Sequence, residues 1–136
     1  MLDTSRIVLR SSLVDPSVLP AEPFITAITL AERSVGPLVA RTDEERAARQ
    51  AVLQQTEADF DPIPFDALAA RAFGQVAGSL RRAGRTTAAR TYDALIAATA
   101  MANNLPVYTC NPSDFWGIDD LKVVAIPHPD PSRPNP

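Results

Sequence analysis

Four carboxylates spread along the chain could together hold a divalent cation: Asp3, Glu32, Asp93 and Asp114. Hard oxygen ligands of this kind select Mg²⁺ or Mn²⁺. If the four acids converged on one place, they would repel one another strongly unless a cation compensated their charge. A bound cation can activate water and stabilise charge on a phosphate, so such chemistry needs no histidine base. The acids therefore predict a metal site at the centre of any catalysis.

Three of these acids also have a simpler structural explanation. Thr29 and Glu32 fit a capping box, in which the glutamate bonds back to the amide of the cap residue. Asn111 and Asp114 fit a related N-terminal pattern, and Asp3 could cap the helix that follows it. Acids at helix N-termini are favoured by the helix dipole whether or not they have a function. Taken singly, each of the three is more simply a cap than a ligand.

Asp93 is different, because the spacing places it inside a predicted helix and on an apolar stripe. The residues that share this stripe are Ala89, Ile96, Ala97 and Ala100. A carboxylate in such surroundings is costly unless it is paired. Its partner is either Arg90, since i,i+3 pairs are common on helices, or a bound cation. Pairing with Arg90 would not explain why the acid faces the core, so Asp93 makes the four acids a predicted site.

The composition argues against other chemistries. The chain of 136 residues has one cysteine, Cys110, and one histidine, His128. A single cysteine excludes an internal disulfide framework and a cysteine-rich zinc site. His128 lies in a proline-dense segment, a poor place to hold a catalytic base, and any Ser/His/Asp triad would need that same residue. The net charge of −3 argues against a generic nucleic-acid coating protein, but acids around a metal are compatible with a nucleic-acid enzyme.

Strands that alternate with helices predict an α/β fold with a mostly parallel sheet. Residues 1–5 are expected to be the end of a strand that runs into a turn, and further strands are expected at 24–28, 62–64, 107–109 and 122–126. Helices are expected at 6–14, 29–39, 42–57, 66–82, from Thr86 or Thr87 to about 103, and after Asn111-Pro112. Sites in open parallel sheets gather at the carboxyl ends of strands, where Asp3, Glu32 and Asp114 are predicted to lie.

The length suits one domain with one core, which we place at residues 1–126. Residues 127–136 contain many prolines and are predicted to form a disordered tail. No apolar run is long enough to span a membrane, and no signal peptide opens the sequence. A cytoplasmic protein is therefore expected.

Four short motifs in order resemble the PIN-domain ribonucleases and, among them, the VapC toxins of bacterial toxin–antitoxin pairs. The motifs are Asp3-Thr4-Ser5, Thr29-Leu30-Ala31-Glu32, Asp93-Ala94-Leu95-Ile96-Ala97-Ala98-Thr99-Ala100 and Thr109-x-Asn111-x-x-Asp114-Phe115. The first motif alone is weak, the last two together are fairly specific, and all four in order are strong. The match extends from Asp3 to about Ile126.

The resemblance implies a PIN-like twisted parallel sheet flanked by helices in three α/β/α layers. It also implies a Mg²⁺-dependent endoribonuclease (Mn²⁺ being the alternative cation) that acts on RNA and is held inactive by a cognate VapB-type antitoxin. The implied assembly is a homodimer that forms a heterotetramer or larger complex with the antitoxin. The implied catalytic and metal-binding residues are Asp3, Glu32, Asp93 and Asp114, with Ser5, Thr109 and Asn111 in supporting positions.

Two departures from the family pattern keep an alternative open. Only two residues precede Asp3, where relatives have several residues of strand. Asn111 stands where many relatives have the fourth acid, so either Asp114 substitutes for it or metal affinity is weaker. The alternative is a catalytically weak PIN-like domain that binds an antitoxin or RNA without cutting.

Arginines and a tryptophan near the predicted site are candidates for contact with RNA. Arg81, Arg82, Arg85 and Arg90 could form a basic rim, and we assign Arg85 and Arg90 to RNA binding. A solvated helix end explains the same residues equally well. Trp116 could stack on a base, but the sequence favours packing in the core or in a dimer contact.

Overall fold

The computed structural model describes residues 24–127. Its α-helices are α1 (Ala27–Val35), α2 (Asp43–Asp59), α3 (Ala67–Arg82) and α4 (Thr91–Ala102), and its strands are β1 (Val107–Thr109) and β2 (Val123–Ala125). Short 3₁₀ turns lie at Gly36–Val39, Ala88–Arg90 and Pro112–Phe115. The predictions for Asp3, Ser5, the first strand, the 6–14 helix and His128 fall outside the described residues, as does nearly all of the predicted tail.

The two strands pair in parallel, as the alternation of strands and helices predicts. Val107 faces Val123 and Thr109 faces Ala125 across the pair. Within the part of the chain that the structure describes, the predicted strands at 24–28 and 62–64 pair through a parallel bridge between Thr26 and Ile63, and Ile25 is also a bridge residue. They stop there because the chain turns into α1 directly after Thr26, which leaves no room for a longer ladder.

Helix α1 begins earlier than predicted, because Thr26 rather than Thr29 caps it. The Thr26 side chain accepts a hydrogen bond from the Thr29 N–H at 3.0 Å, and Thr29 is itself buried in the first turn. The predicted capping box at Thr29 and Glu32 is therefore wrong, and Glu32 lies in the second turn. The α-helix ends at Val35 instead of continuing to 39, since Pro37 has no N–H to donate and the chain tightens into a 3₁₀ turn.

Helix α4 begins later than predicted. The chain forms a 3₁₀ turn first, and Arg90 has the non-helical backbone angles φ −126° and ψ 29°, which separate that turn from the α-helix. Thr87, predicted as a cap, makes no side-chain capping hydrogen bond to the part of the chain that the structure describes. Asp93 consequently lies in the first turn of α4 and not in its interior. The helix predicted after Asn111 is only a 3₁₀ turn.

The core lies between α3, α4 and the strands. The fully or almost fully buried members of this cluster include Val76, Leu80, Ile96, Val107 and Phe115. Alanines on α4 are buried beside them, which allows α3 and α4 to pack closely. Leu68, predicted on the apolar face of α3, is 58% exposed because it lies in the first turn, beyond the core. Among the described residues, no helix has both the length and the apolar character needed to cross a membrane.

Candidate active site

Glu32 and Asp93, two of the four predicted acids, line the same cleft, which has a volume of about 570 Å³. The remaining wall is formed by Ala88, Arg90, Thr91 and Tyr92. Both acids are half-buried. Helix α1 delivers one carboxylate and helix α4 the other, and the packing of α1 against α4 brings them to one place. The predicted convergence is therefore observed for this pair.

The position of Glu32 cannot be explained by helix capping. The cap of α1 is Thr26, and Glu32 lies more than one turn further along the helix. The helix dipole favours acids mainly within the first turn, so it gives little support to an acid at this position. Helix capping therefore does not explain Glu32, and its position on the cleft wall supports a role in the candidate site.

Asp93 gains a structural explanation. It lies in the first turn of α4, where the positive end of the helix dipole favours a carboxylate. Ile96, Ala97 and Ala100 of the predicted apolar stripe are buried, but so are Ala94, Ala98 and Thr99, so α4 is buried on most sides and not along one stripe. Asp93 lies at the start of this buried helix and lines the cleft.

Asp114 is connected to the cleft through Arg90. The Arg90 Nη1 donates to Asp114 Oδ1 at 3.1 Å, and the two side chains are 35% and 38% exposed. The sequence suggested Asp93 as the carboxylate that pairs with Arg90. Among the described residues, the carboxylate that pairs with Arg90 is instead Asp114. The guanidinium also lines the cleft beside Glu32 and Asp93 and reduces the negative charge there.

Two of the predicted supporting residues shape the turn that carries Asp114. Thr109 at the end of β1 is fully buried, and its Oγ1 accepts from the Asn111 N–H at 3.0 Å. The Asn111 carbonyl in turn accepts from the Asp114 N–H at 3.0 Å. These bonds fix how the chain leaves the strand. They support Asp114 through the backbone, whatever role the Asn111 side chain has.

The four arginines do not form a continuous basic rim. Arg90 lines the acidic cleft, whereas Arg82 pairs with Asp119 at 3.2 Å in a second cleft. Arg85 donates from Nη1 to the carbonyl oxygens of Ser113 and Trp116, at 3.0 and 2.7 Å. Trp116 is 62% exposed, so it does not pack in the core of the chain, while the other expectation, a dimer contact, stays a prediction.

The pairing of Asp114, the clamp formed by Arg85 and the position of Tyr92 were all missed from the sequence. Tyr92 is 58% exposed and lies on the cleft wall. Its place next to Asp93 in the helix was the available signal. The long-range contacts of the two arginines have no comparable signal, because they depend on how distant segments meet.

The donor set of the cleft fits Mg²⁺ or Mn²⁺ in chemistry but not yet in number. Glu32 and Asp93 supply carboxylate oxygens, the ligands that these ions prefer. Within residues 24–127, no group of three His, Cys, Asp or Glu residues is placed to hold a metal ion. The other two predicted ligands are Asp3, which lies outside the described residues, and Asp114, which is paired with Arg90.

Comparison with known proteins decides the family. The model of the PIN domain matches residues 1–115. The chain is also 37% identical over 128 residues to Ribonuclease VapC5 of Mycobacterium tuberculosis (strain ATCC 25618 / H37Rv), covering 93% of this chain and 92% of that relative. The chain belongs to the VapC family of PIN domains. The resemblance found in the four motifs is therefore confirmed.

Two further comparisons agree with membership in the VapC family. Ribonuclease VapC of Rickettsia bellii (strain RML369-C) is 28% identical over 106 residues, which cover 78% of each protein. A crystal structure of VapBC-5 from Mycobacterium tuberculosis superimposes with a TM-score of 0.80 at 34% identity, covering 92% of this chain and 96% of that one. The predicted α/β PIN fold is confirmed by this superposition.

Proposed function

We propose that this VapC-family protein is a Mg²⁺- or Mn²⁺-dependent endoribonuclease toxin whose site is built on Asp3, Glu32, Asp93 and Asp114. The observation that carries the proposal is the shared cleft of Glu32 and Asp93, which lie on different helices. The two curated relatives are named ribonucleases, which supports RNA as the substrate. No described residue supplies a histidine base, so carboxylates are the groups available for this chemistry.

The residues of the cleft have distinct proposed roles. Glu32 and Asp93, together with Asp3, would hold the cation, and a bound cation would activate water and stabilise charge on the phosphate. Arg90 would bind the phosphate of the RNA, since a guanidinium matches phosphate oxygens in geometry and charge. Thr109 and Asn111 would keep the turn in place beneath Asp114.

Asp114 has two proposed uses that follow from its ion pair. While it accepts from Arg90, it keeps the guanidinium at the edge of the cleft, directed by a contact of 3.1 Å. If Arg90 turned to a phosphate, the Asp114 carboxylate would be released, and its oxygens would then be available to hold a cation beside Glu32 and Asp93. The predicted ligand role of Asp114 and the observed pair are thus compatible with one another.

The proposed protein partner is a VapB-type antitoxin. The crystal structure that matches over most of this chain is of a VapBC toxin–antitoxin system. The chain exposes three large apolar side chains in a short segment, Val35, Leu38 and Val39, at 51%, 83% and 61%. Apolar surface of this kind is often covered by a partner protein. Co-purification with the product of a short neighbouring reading frame, and inhibition of cleavage by that product, would support this assignment.

Cleavage of structured RNA by the full chain tests the catalytic proposal. The parent is expected to cut with Mg²⁺ and to stop with EDTA. Glu32→Gln and Asp93→Asn each remove a charge without changing side-chain size, and each should lower kcat/KM by about 100-fold or more. Asp119→Asn is the matched control, since this acid is 67% exposed and lies in the second cleft. An Asp93→Asn variant that cuts as fast as the parent would refute the assignment.

A second candidate function is a PIN-like module that binds an antitoxin or RNA without cutting. The pairing of Asp114 with Arg90 favours it. Calorimetry with Mn²⁺ separates the two functions. Binding that is lost in Asp93→Asn supports the nuclease, whereas RNA binding without any Mn²⁺ binding supports the module.

A further inference from the structure

Trp116 is an exposed aromatic residue held on a fixed turn. Its side chain is 62% exposed, although an indole ring is among the groups most often buried in a core or an interface. The backbone N–H of Trp116 donates to the Ser113 carbonyl at 3.3 Å, and this bond closes the 3₁₀ turn that precedes Trp116. The ring is therefore presented to solvent by a backbone that has a defined shape.

Arg85 fixes this turn from outside. Its guanidinium donates to the Ser113 and Trp116 carbonyls, and its Cζ lies 5.5 Å from the centroid of the Trp116 ring. One arginine thus holds both ends of the turn and also places a cation against the aromatic face. Gly117 adds to the constraint, because its backbone approaches α3 so closely that a Cβ there would lie 2.9 Å from the Ala83 Cβ.

The turn lies beside the acidic cleft. Arg85 and Arg90 come from the segment between α3 and α4, while Ser113, Asp114 and Trp116 come from the turn after β1. Two contacts join these segments: Arg90 to Asp114, and Arg85 to the carbonyls around it. Since Arg90 lines the cleft, Trp116 stands only two residues along the chain from a side chain bonded to the cleft wall.

We propose that the Trp116 ring, held by Arg85, is a stacking platform for an unpaired base of the RNA next to the scissile site. This inference rests on the proposed ribonuclease function and adds where the substrate is gripped. Every base has a π-face, so a single exposed ring binds single-stranded RNA without demanding one sequence. The cation beside the ring favours the polyanionic strand over an apolar protein surface. The substrate class is therefore RNA with an unstacked base at the cut, such as a loop.

The chain offers a direct probe, because Trp116 is its only tryptophan. In full-length Asp93→Asn, which is expected to bind RNA without cutting it, a single-stranded RNA of about ten nucleotides should quench the tryptophan emission saturably. A strand of equal length and charge that lacks bases should quench far less. Equal quenching by both strands would overturn the proposal, since the backbone alone would then account for it.

Variants measure how much the platform contributes. In the Asp93→Asn background, Trp116→Ala is expected to raise the Kd for the RNA by about 5- to 150-fold, and Trp116→Phe to recover most of the affinity. Arg85→Lys keeps the charge but loses the planar guanidinium that lies against the Trp116 ring, so an intermediate loss is expected. Leu68→Ala is the control, since Leu68 is exposed to a similar degree, 58%, and lies in the first turn of α3.

The outcomes separate this inference from the proposed function. If the parent cuts RNA and Trp116→Ala cuts it with an unchanged KM, the platform is refuted while the ribonuclease stands. If the parent neither cuts nor binds RNA, the ribonuclease fails first, and the absence of quenching removes the platform as well. If emission responds to a VapB-type antitoxin but not to RNA, Trp116 belongs to a protein contact and the proposal is wrong.

Discussion

Two ion pairs of nearly equal length differ in nearly everything else. Arg90 contacts Asp114 at 3.1 Å and Arg82 contacts Asp119 at 3.2 Å. In the first pair the side chains are 35% and 38% exposed, and in the second 69% and 67%. Each pair joins the α3–α4 region to the C-terminal part of the described chain. The nitrogen–oxygen distance therefore does not distinguish the two pairs. They differ in the burial of their side chains and in the residues around them.

The neighbours point in the same direction as the burial. Arg90 shares its cleft with two further carboxylates, Glu32 and Asp93, so its charge acts on a group of acids. The second cleft, of about 300 Å³, is lined by Gly74, Gly78 and other residues of α3 together with Asp119 and Asp120. There the arginine meets well-solvated acids, and water screens most of their interaction. If RNA binds in the cleft of Glu32 and Asp93, as proposed, the first pair and not the second lies at the substrate.

The largest difference between the two clefts is expected in RNA cleavage. Arg90→Ala should lower kcat/KM by about 100-fold, because a positioned donor to the phosphate is lost. Arg90→Lys should recover part of this, since charge remains but the planar fork does not. Arg82→Ala should leave cleavage within about twofold of the parent, because an exposed pair of this kind contributes little. The measurement is initial rates on one RNA with Mg²⁺. Equal losses in the two alanine variants would show that the arginines act only through general charge.

A second difference is expected in stability, between the glycines of the two regions. Gly117 has φ +91°, and a Cβ there would lie 2.9 Å from the Ala83 Cβ, so Gly117→Ala should lower the free energy of unfolding by about 1–3 kcal/mol. Gly74 lies inside α3, and apart from its chain neighbours and the backbone of its own helix, no heavy atom of the described residues lies within 4 Å of its ideal Cβ. Gly74→Ala should therefore raise the free energy of unfolding by about 0.5–1 kcal/mol.

Urea unfolding of both variants measures these changes. Because the turn at Gly117 also carries Trp116 and Asp114, the first variant should weaken RNA binding as well, whereas the second should not. A Gly117→Ala variant as stable as the parent would mean that the turn yields easily and does not hold Trp116 in place.

The acids show how far sequence could predict the site. Residue types and motif order identified Glu32 and Asp93, and the structure places both in one cleft. The expected positions of these acids in their helices were wrong. Glu32 is not in a capping box, and Asp93 lies at a helix start and not in a helix interior. Whether an acid lies at a helix start depends on which residue caps the helix. Thr26 and Thr29 could both cap α1, and in the structure Thr26 does so. Partners across the fold, such as Arg90 for Asp114, follow from packing that no local pattern encodes.

The elements show the same division. Long periodic segments were predicted well: α2 and α3 begin and end within about two residues of expectation. Short segments were predicted less well. A segment of three residues such as 62–64 forms a strand only if a neighbouring segment runs beside it over its whole length, and here Ile63 forms an isolated bridge with Thr26. The strands at 107–109 and 122–126 and a mostly parallel sheet were predicted, whereas the pairing of these two strands with each other was seen only in the structure.

The smallest expected difference is the coupling energy within each ion pair. A double-mutant cycle with Arg90→Ala and Asp114→Ala should give about 1 kcal/mol, and one with Arg82→Ala and Asp119→Ala less than about 0.5 kcal/mol. The reason is solvent screening, since the first pair is about half as exposed as the second. Urea unfolding of the three variants and the parent measures each cycle, and added salt should reduce the exposed coupling proportionally more. Equal coupling energies in the two cycles would contradict this expectation. They would mean that Glu32 and Asp93 attract the Arg90 guanidinium as strongly as Asp114 does, so that the group of acids and not the single pair fixes its position.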